Sequence, residues 1–428
     1  GAVDPVETLT ELFNETLRPA LNTAAGVPAI NGIAATGYLQ RRHITDGYLD
    51  THLTNQFGDR LTVVSGFDFL YGDVQQRTDA FDYVVAFDGS RPATAGAPSN
   101  GNYSSLGVTR RYAGLYSQAQ WKFSPGWNLT LGLRANRTEE SRSLVGQSYQ
   151  APEADDAFDS TRVQLGLAQG TLTSINGHDS RSSTRASGLV GINRALWRDA
   201  EGGDFLIGYA SYRNTFKPAD VDFGPSSKYQ ILSPQDGQSV ELGVKGRGLE
   251  HALTWDADVY LARNSNVVID DDATHSLVGA GEQVGGAELE ARYLLLPYLS
   301  AFGDYTWTRA NYRKLVLDGS DYHGKKLELV PEHEGALGLL YSRPNGPLAS
   351  VSAKAFNSRY FDRDNTVKLG GCMTLDAALG WNAQHFRLQL SGQNLGNRRP
   401  ITALTEFADS QYYVLPGRLW RVQLSAPF

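Results

Sequence analysis

The sequence has one cysteine, Cys372, and one methionine in 428 residues. A lone cysteine excludes an internal disulfide framework. The eight histidines include no His-x-x-x-His pair, and no Cys-x-x-Cys accompanies them, so the usual zinc spacings are missing. No glycine-rich phosphate loop of the GxxxxGK[ST] kind occurs. Lysine and arginine never cluster, which excludes a nucleic-acid partner, and the net charge of -7 fits ordinary solubility. No apolar run reaches the roughly 18 residues of a membrane helix. A barrel escapes that test, because only alternate residues of its strands face lipid. No secretory leader is visible, and the opening Gly1-Ala2-Val3-Asp4 reads as the edge of a fragment.

What is present is alternation, set among 45 glycines and 21 tyrosines. In 128–136, Leu129, Leu131, Leu133 and Ala135 fall on one side, and Asn128, Thr130, Arg134 and Asn136 on the other. Strand side chains point to opposite faces in turn, so this segment has an apolar and a polar face. Residues 239–245, 253–261, 287–293, 374–382, 386–393 and 420–428 repeat the pattern. The predicted strands run about 9 to 14 residues, beyond the 5–6 common in soluble sheets.

Connections alternate in length. Short ones rich in glycine, proline, asparagine and aspartate, such as Phe57-Gly58-Asp59 and Ser124-Pro125-Gly126, suit tight turns. Between them lie long polar segments at 72–110, 139–183, 214–235, 264–283, 314–329, 359–371 and 397–412. Seven short turns opposite seven long loops describe an all-β, antiparallel transmembrane β-barrel, with about 15 strands between Ile44 and Phe428 and a sixteenth near Ile33 to Arg41. Residues 1–43 are expected to form part of an extracellular loop. Leu9, Leu12, Phe13, Leu17 and Leu21 recur there at helical spacing, predicting a short helix over Val6–Leu21. Residues 44–428 form the barrel.

Several phrases resemble the barrel of TonB-dependent receptors. Residues 61–69 (Leu-Thr-Val-Val-Ser-Gly-Phe-Asp-Phe), the pair 112–121 and 128–136, Tyr209 with Ser211, Tyr212 and Phe216-Lys217-Pro218, residues 238–245 (Gln-Ser-Val-Glu-Leu-Gly-Val-Lys), residues 286–290 (Gly-Ala-Glu-Leu-Glu), Val330-Pro331-Glu332-His333, Asn394-Leu395-Gly396-Asn397 and Pro416-Gly417-Arg418 follow the family's order. Arg398-Arg399-Pro400 departs from it. The resemblance implies a Gram-negative outer-membrane protein with a probable 22-stranded barrel, so that the plug, the TonB box and the first strands would precede residue 1. It implies energy-coupled import of a scarce solute, in most members a ferric siderophore. The implied partners are the TonB-ExbB-ExbD complex, the barrel assembly machinery, which would read the terminal Phe428, lipid or lipopolysaccharide, and a small-molecule ligand. A siderophore would be cargo, so no cofactor is expected.

The loops should capture the ligand, since arginine and tyrosine suit anionic aromatic molecules. The candidates are Arg77, Tyr83, Arg91, Tyr103 and Tyr149 in the two longest loops, and Lys217, Lys228, Tyr229, Tyr322, His323, Tyr360 and Arg363 in the shorter ones. Inward faces should carry Arg134, Lys245, Asp256, Asp258, Glu288, Glu290, Arg292, Asp304, Arg387 and Arg421. Asp270-Asp271-Asp272 with His275 offers oxygens to a cation but reads first as a solvated acidic loop, and Cys372 as a loop-edge thiol. No catalytic constellation or metal site is therefore expected. Two alternatives stay open: a passive porin-like channel of about 16 strands, and an outer-membrane hydrolase, which would need a Ser/His or Asp/His pair at the rim.

Overall fold

The computed structural model describes residues 32–86, 102–150, 171–201, 203–218, 231–271, 276–317, 319–404 and 412–426. All regular structure in them is β. The long strands are β1 (Gly32–Phe57), β2 (Leu61–Ala86), β3 (Asn102–Ser124), β4 (Trp127–Gln150), β5 (Thr171–Arg198), β6 (Phe205–Lys217), β7 (Gln235–Gly248), β8 (Leu253–Asp271), β9 (Ser276–Leu296) and β10 (Leu299–Lys314). Short pieces follow at β11 (Val316–Leu317) and β12 (Ser320–Asp321), then β13 (His333–Ser342), β14 (Gly346–Phe356), β15 (Arg359–Tyr360), β16 (Lys368–Leu369), β17 (Cys372–Asn382), β18 (Arg387–Gln393), β19 (Ile401–Leu404), β20 (Tyr412–Val414) and β21 (Leu419–Ser425).

Fifteen of these form one antiparallel sheet in the order β1 to β10, β13, β14, β17, β18, β21, and β11–β12, β15–β16 and β19–β20 are separate two-stranded ribbons. Each strand pairs with its predecessor across a short turn or a long connection, as a membrane barrel requires. Among the described residues β1 and β21 end the sheet without pairing with each other. The proposed helix at Val6–Leu21 lies outside the described residues. The possible strand near Ile33–Arg41 is the upper half of β1, which therefore runs straight through the expected boundary at residue 43.

One face of the sheet is apolar and bare. Leu133 is 69% exposed, Leu337 72% and Val422 72%. Apolar surface so continuous is untenable in water and natural against lipid, where the core of a bilayer takes about 9–11 strand residues. Near the short turns Trp121, Phe123 and Trp127 pack in series, with ring centroids 5.6 and 5.8 Å apart, as in an interfacial aromatic girdle.

The strands are longer than their hydropathy pattern predicts. β1 to β5 contain 26, 26, 23, 24 and 28 residues, so more than half of each stands above the membrane. At about 3.3 Å per residue and a tilt near 40° the excess is on the order of 30–45 Å. Much of 72–110 and 139–183 is thus strand rather than loop. Above the bilayer both faces of a ribbon meet polar surroundings, so alternation fades while pairing continues.

Inward-facing aromatics lie over glycines directly opposite them. Tyr116 faces Gly66, Tyr209 faces Gly243 and Phe302 faces Gly338 in register. A Cβ on these glycines would meet the rings at 2.4, 2.4 and 2.3 Å, so only glycine lets the ring lie flat on the wall. The β7–β8 turn is also unusual. Leu249, Glu250 and His251 all have positive φ, at 58, 56 and 69°, a conformation that L-residues avoid. The run aims two N–H groups at one carboxylate. Asp204 accepts from Glu250 N at 3.1 Å and His251 N at 2.9 Å, with the His251 ring 2.6 Å away. Successive N–H groups in this arrangement make an anion nest, which locks the β7–β8 turn to the β5–β6 turn.

Candidate functional site

The inner wall is built by the even-numbered residues of β2, β3 and β4. Low on it, Arg134 reaches Asp68 from β2, one nitrogen lying 2.7 and 2.6 Å from the two carboxylate oxygens. The same guanidinium donates to Asn136 at 2.6 Å and to the Tyr112 hydroxyl at 2.9 Å. It also lies 5.4 Å from the ring centroids of Tyr112 and Tyr116. The Tyr116 hydroxyl in turn donates to Asp50 on β1 at 3.2 Å. Two residues higher on β3, Arg110 pairs with Glu140 at 2.5 Å. Asp68, Gln76, Thr78, Asn136, Thr138, Glu140 and Arg142 are all buried. Arg134 meets Asp68 and Asn136, Arg110 meets Glu140, and Gln76 donates to Thr78 at 3.3 Å, which is how buried charge is tolerated, while the Thr138 hydroxyl has no partner among the described residues. Level with Gln76 and Arg142, Leu106, Val108, Leu144 and Val74 form an apolar patch.

The opposite part of the wall is acidic. Pairing sets Lys245, Asp256, Glu290 and Asp304 in one row across β7 to β10. The next row holds Asp258 and Glu288 side by side. The Tyr209 hydroxyl donates to Asp256 at 2.8 Å, and Lys245 lies 5.5 Å from the Tyr209 ring. The row holds three carboxylates to the one Lys245 ammonium, so it projects net negative charge into the lumen. Arg292 continues the same face of β9 one turn lower, 3.5 Å from Ser300. Arg387 donates to Gln389 at 2.9 Å, and Arg421 of β21 lies opposite Ser391, exposed.

A third region stands above the membrane where β13 and β14 are short. Residues 324–332 pair irregularly with the top of β10: Leu327 N donates to Ala310 O at 3.1 Å and Tyr312 N to Lys325 O at 2.9 Å. The connection carrying β15 and β16 joins them through Asn365, whose side chain bonds both backbone groups of Lys326 at 2.7 and 3.0 Å. Arg363 donates to Glu328 at 2.8 Å, and Tyr312 to the other Glu328 oxygen at 2.7 Å. Lys326 donates to Glu332 at 2.7 Å and lies 5.7 Å from the Tyr360 ring. Ala280, Tyr312, Leu315 and Leu317 make an apolar core beneath, against Tyr322 and Leu327. Here burial pushes the Glu282 carboxyl above the usual range, with the Glu328 charge adding to it. Burial and the bond to Glu328 raise the Tyr312 phenol. The Lys326 bond holds Glu332 low.

Of the predicted ligand residues, Tyr322, His323, Tyr360 and Arg363 come together in this region. His323 is exposed and held by the Arg313 carbonyl, 2.7 Å from its ring. Arg77 and Tyr103 are not loop residues. They lie on β2 and β3 and stack on each other, 4.8 Å from guanidinium to ring centroid, on the outer face of the raised wall. Arg77 also pairs with Asp79 at 3.5 Å, so it turns away from the lumen. Tyr83, Tyr149 and Lys217 likewise belong to strands β2, β4 and β6 rather than loops. Arg91, Lys228, Tyr229, Phe428, Asp272 and His275 lie outside the described residues. Cys372 opens β17 and is a free thiol. Among the described residues no group of three or more His, Cys, Asp or Glu could hold a metal. Tyr312, Glu328, Lys326 and Asn365 were not legible as partners, because only the fold brings 312, 328 and 365 together.

The family model described as TonB dependent receptor-like, beta-barrel matches residues 12–395. The chain belongs to the TonB-dependent receptors. Its barrel is therefore that of an outer-membrane protein of Gram-negative bacteria, in a family of receptors and transporters rather than enzymes. The ferrichrome outer membrane transporter/phage receptor of Escherichia coli is 28% identical over 193 residues, covering 44% of this chain and 25% of that protein. A probable TonB-dependent siderophore receptor of Acinetobacter baumannii is 24% identical over 294 residues, or 66% and 36% of the two chains. The ferric yersiniabactin uptake receptor of Yersinia pestis superposes with a TM-score of 0.68 at 16% identity, over 93% of this chain and 56% of that one. A copper transporter shares the fold with a TM-score of 0.64 at 16% identity, over 91% and 57%. The receptor wall described here thus spans little more than half the length of such structures and a smaller part of the curated relatives it matches.

Proposed function

We propose that this barrel serves energy-coupled import of a scarce solute, a ferric siderophore first of all, with the TonB-ExbB-ExbD complex acting on a plug held inside it. One observation carries the reading: the lumen is lined with tyrosine and arginine both low on the wall and at the rim. Tyr112, Tyr116 and Arg134 lie on the inner side of β3 and β4, and Tyr312, Tyr360 and Arg363 on the opposite rim. Planar guanidinium groups and aromatic rings suit an anionic, aromatic chelate. The receptors for ferrichrome and yersiniabactin named above support the same ligand class.

The test is growth of a deletion strain on single defined iron sources, complemented by the full-length gene. Loss of growth on one siderophore, restored by the gene, is expected. Unchanged use of every siderophore refutes the iron assignment. Stable conductance by the full-length protein in a planar bilayer, with no added complex, would favour the passive channel instead.

A further inference from the structure

The lipid-facing side of β5 to β9 is not evenly bulky. Register aligns Ile192, Ala210, Leu242, Val259 and Ala287 in one row, and Arg194, Gly208, Val244, Ala257 and Leu289 in the next. Four small residues, Gly208, Ala210, Ala257 and Ala287, therefore lie between large ones. They floor a groove of about 820 Å³ walled by Leu196, Leu242 and Leu289 and bounded at one end by Trp127. Leu196 overhangs Gly208, where an added Cβ would stand 3.3 Å from its Cδ1. Four strand spacings of about 4.8 Å make the groove roughly 19 Å long, the length of an extended acyl chain.

Arg194 stands at the same end as Trp127, exposed and on the outer face. Its guanidinium lies 4.8 Å from the Trp127 ring centroid. Among the described residues no carboxylate lies within ion-pair distance of it. Trp127 opens β4 directly after a short turn, so Arg194 sits at the depth of the headgroups on that side. A lipid-facing arginine is costly at the midplane and cheap at an interface, where it attracts phosphate. The floor's apolarity does not choose between lipids, because the surrounding tails are equally apolar; it contributes by seating a chain in close packing between the flanking leucines.

From this pairing of groove and unpaired cation we infer that the outer face of β5–β9 binds an anionic phospholipid of the periplasmic leaflet. Its phosphodiester sits on Arg194 and one acyl chain lies over Gly208, Ala210 and Ala257. The guanidinium fork matches phosphate oxygens better than a lysine would. A zwitterionic lipid offers the same phosphate, but its own ammonium competes for it.

The experiment is native mass spectrometry of the full-length receptor in detergent with equimolar phosphatidylglycerol and phosphatidylethanolamine. Phosphatidylglycerol adducts should dominate about tenfold, which corresponds to about 1.4 kcal/mol. Arg194→Gln should bring the ratio to about one, and Arg194→Lys should keep part of it. Gly208→Leu, or Ala257→Leu should the first fail to fold, fills the floor and should abolish retention of either lipid. Folding of each variant is checked by heat-modifiable gel migration. Undiminished preference in Arg194→Gln, or undiminished retention in the filled variant, overturns the site. In a second sample with equimolar lipid A and phosphatidylglycerol, preference for lipid A overturns the leaflet.

Discussion

Arg134 offers the sharpest test of how the inner wall is held. Asp68 is 3% exposed, and Arg134 is its only ion-pair partner among the described residues. Arg134→Met keeps the bulk of the side chain but leaves the carboxylate buried and unpaired. Removing one partner of a buried pair costs about 3–5 kcal/mol. The lower end applies here because the Arg134 side chain keeps 28% exposure to the lumen. Asp68→Leu should cost less, about 1–2 kcal/mol, because Arg134 retains Asn136 and the two tyrosine rings. The double variant, apolar on both sides, should lie within about 1 kcal/mol of the parent. The coupling energy then comes to about 3 kcal/mol or more. Equilibrium urea unfolding in lipid vesicles, followed by tryptophan fluorescence, supplies the four free energies. Additive single and double variants would show that the pair does not act as a unit. A loss below about 1 kcal/mol for Arg134→Met would show that lumen water reaches Asp68 freely.

Four other outcomes follow from the same geometry. Glu282 has a raised folded pKa, so its ionisation opposes the packed rim. The rim should be tightest below the ordinary carboxylate range and loosen as pH rises past it. Hydrogen exchange at the Leu327 and Tyr312 amides, followed from below the ordinary carboxylate range upward, reads this, and Glu282→Gln should flatten the dependence. Burial alone would raise the Asp204 carboxyl, but the His251 ring and two backbone N–H groups outweigh it and hold it low. Its contribution is therefore complete above the ordinary aspartate range and lost as pH falls through the depressed value; Asp204→Asn should lower the thermal midpoint at neutral pH and erase that acid limb. Gly243→Ala should push Tyr209 off the wall and cost about 1–3 kcal/mol, seen as reduced urea stability, whereas Gly47→Ala, with open space around it, should cost under about 0.5 kcal/mol. Arg77→Ala, on the outer face, should leave uptake of whichever siderophore supports growth unchanged within about twofold, while Arg363→Ala should reduce it.

Where one face meets lipid, the sequence reads almost directly. Leu129, Leu131 and Leu133 alternate with Arg134 and Asn136, and the structure sets them on opposite faces. The short turns and the count of about fifteen strands come from the same signal. The lumen charges Asp256, Glu290 and Asp304 were legible as inward, but their alignment in one row needed the register. Strand overshoot was not legible, because in 102–110 and 139–150 the few apolar residues, such as Leu106, Val108 and Leu144, are too sparse among polar ones to set a period. The same polarity makes Arg77 and Tyr103 read as loop residues. The nest around Asp204 escaped too, since three consecutive positive φ values in Leu249, Glu250 and His251 have no glycine to announce them. The partnership of Tyr312, Glu328, Arg363 and Asn365 depends on contacts between segments far apart in sequence.

Along the described sheet the unequal strands leave the rim on a slant. β1 to β5 stand tall, whereas β18 and β21 have seven residues each and end near the bilayer surface. A bulky particle drifting in from one side meets a parapet, and from the other only the connections above the short strands. Access should therefore be directional: an antibody fragment or bulky thiol reagent anchored above β3–β4 leaves the opening clear, while the same mass fixed near β18–β21 stands in the doorway.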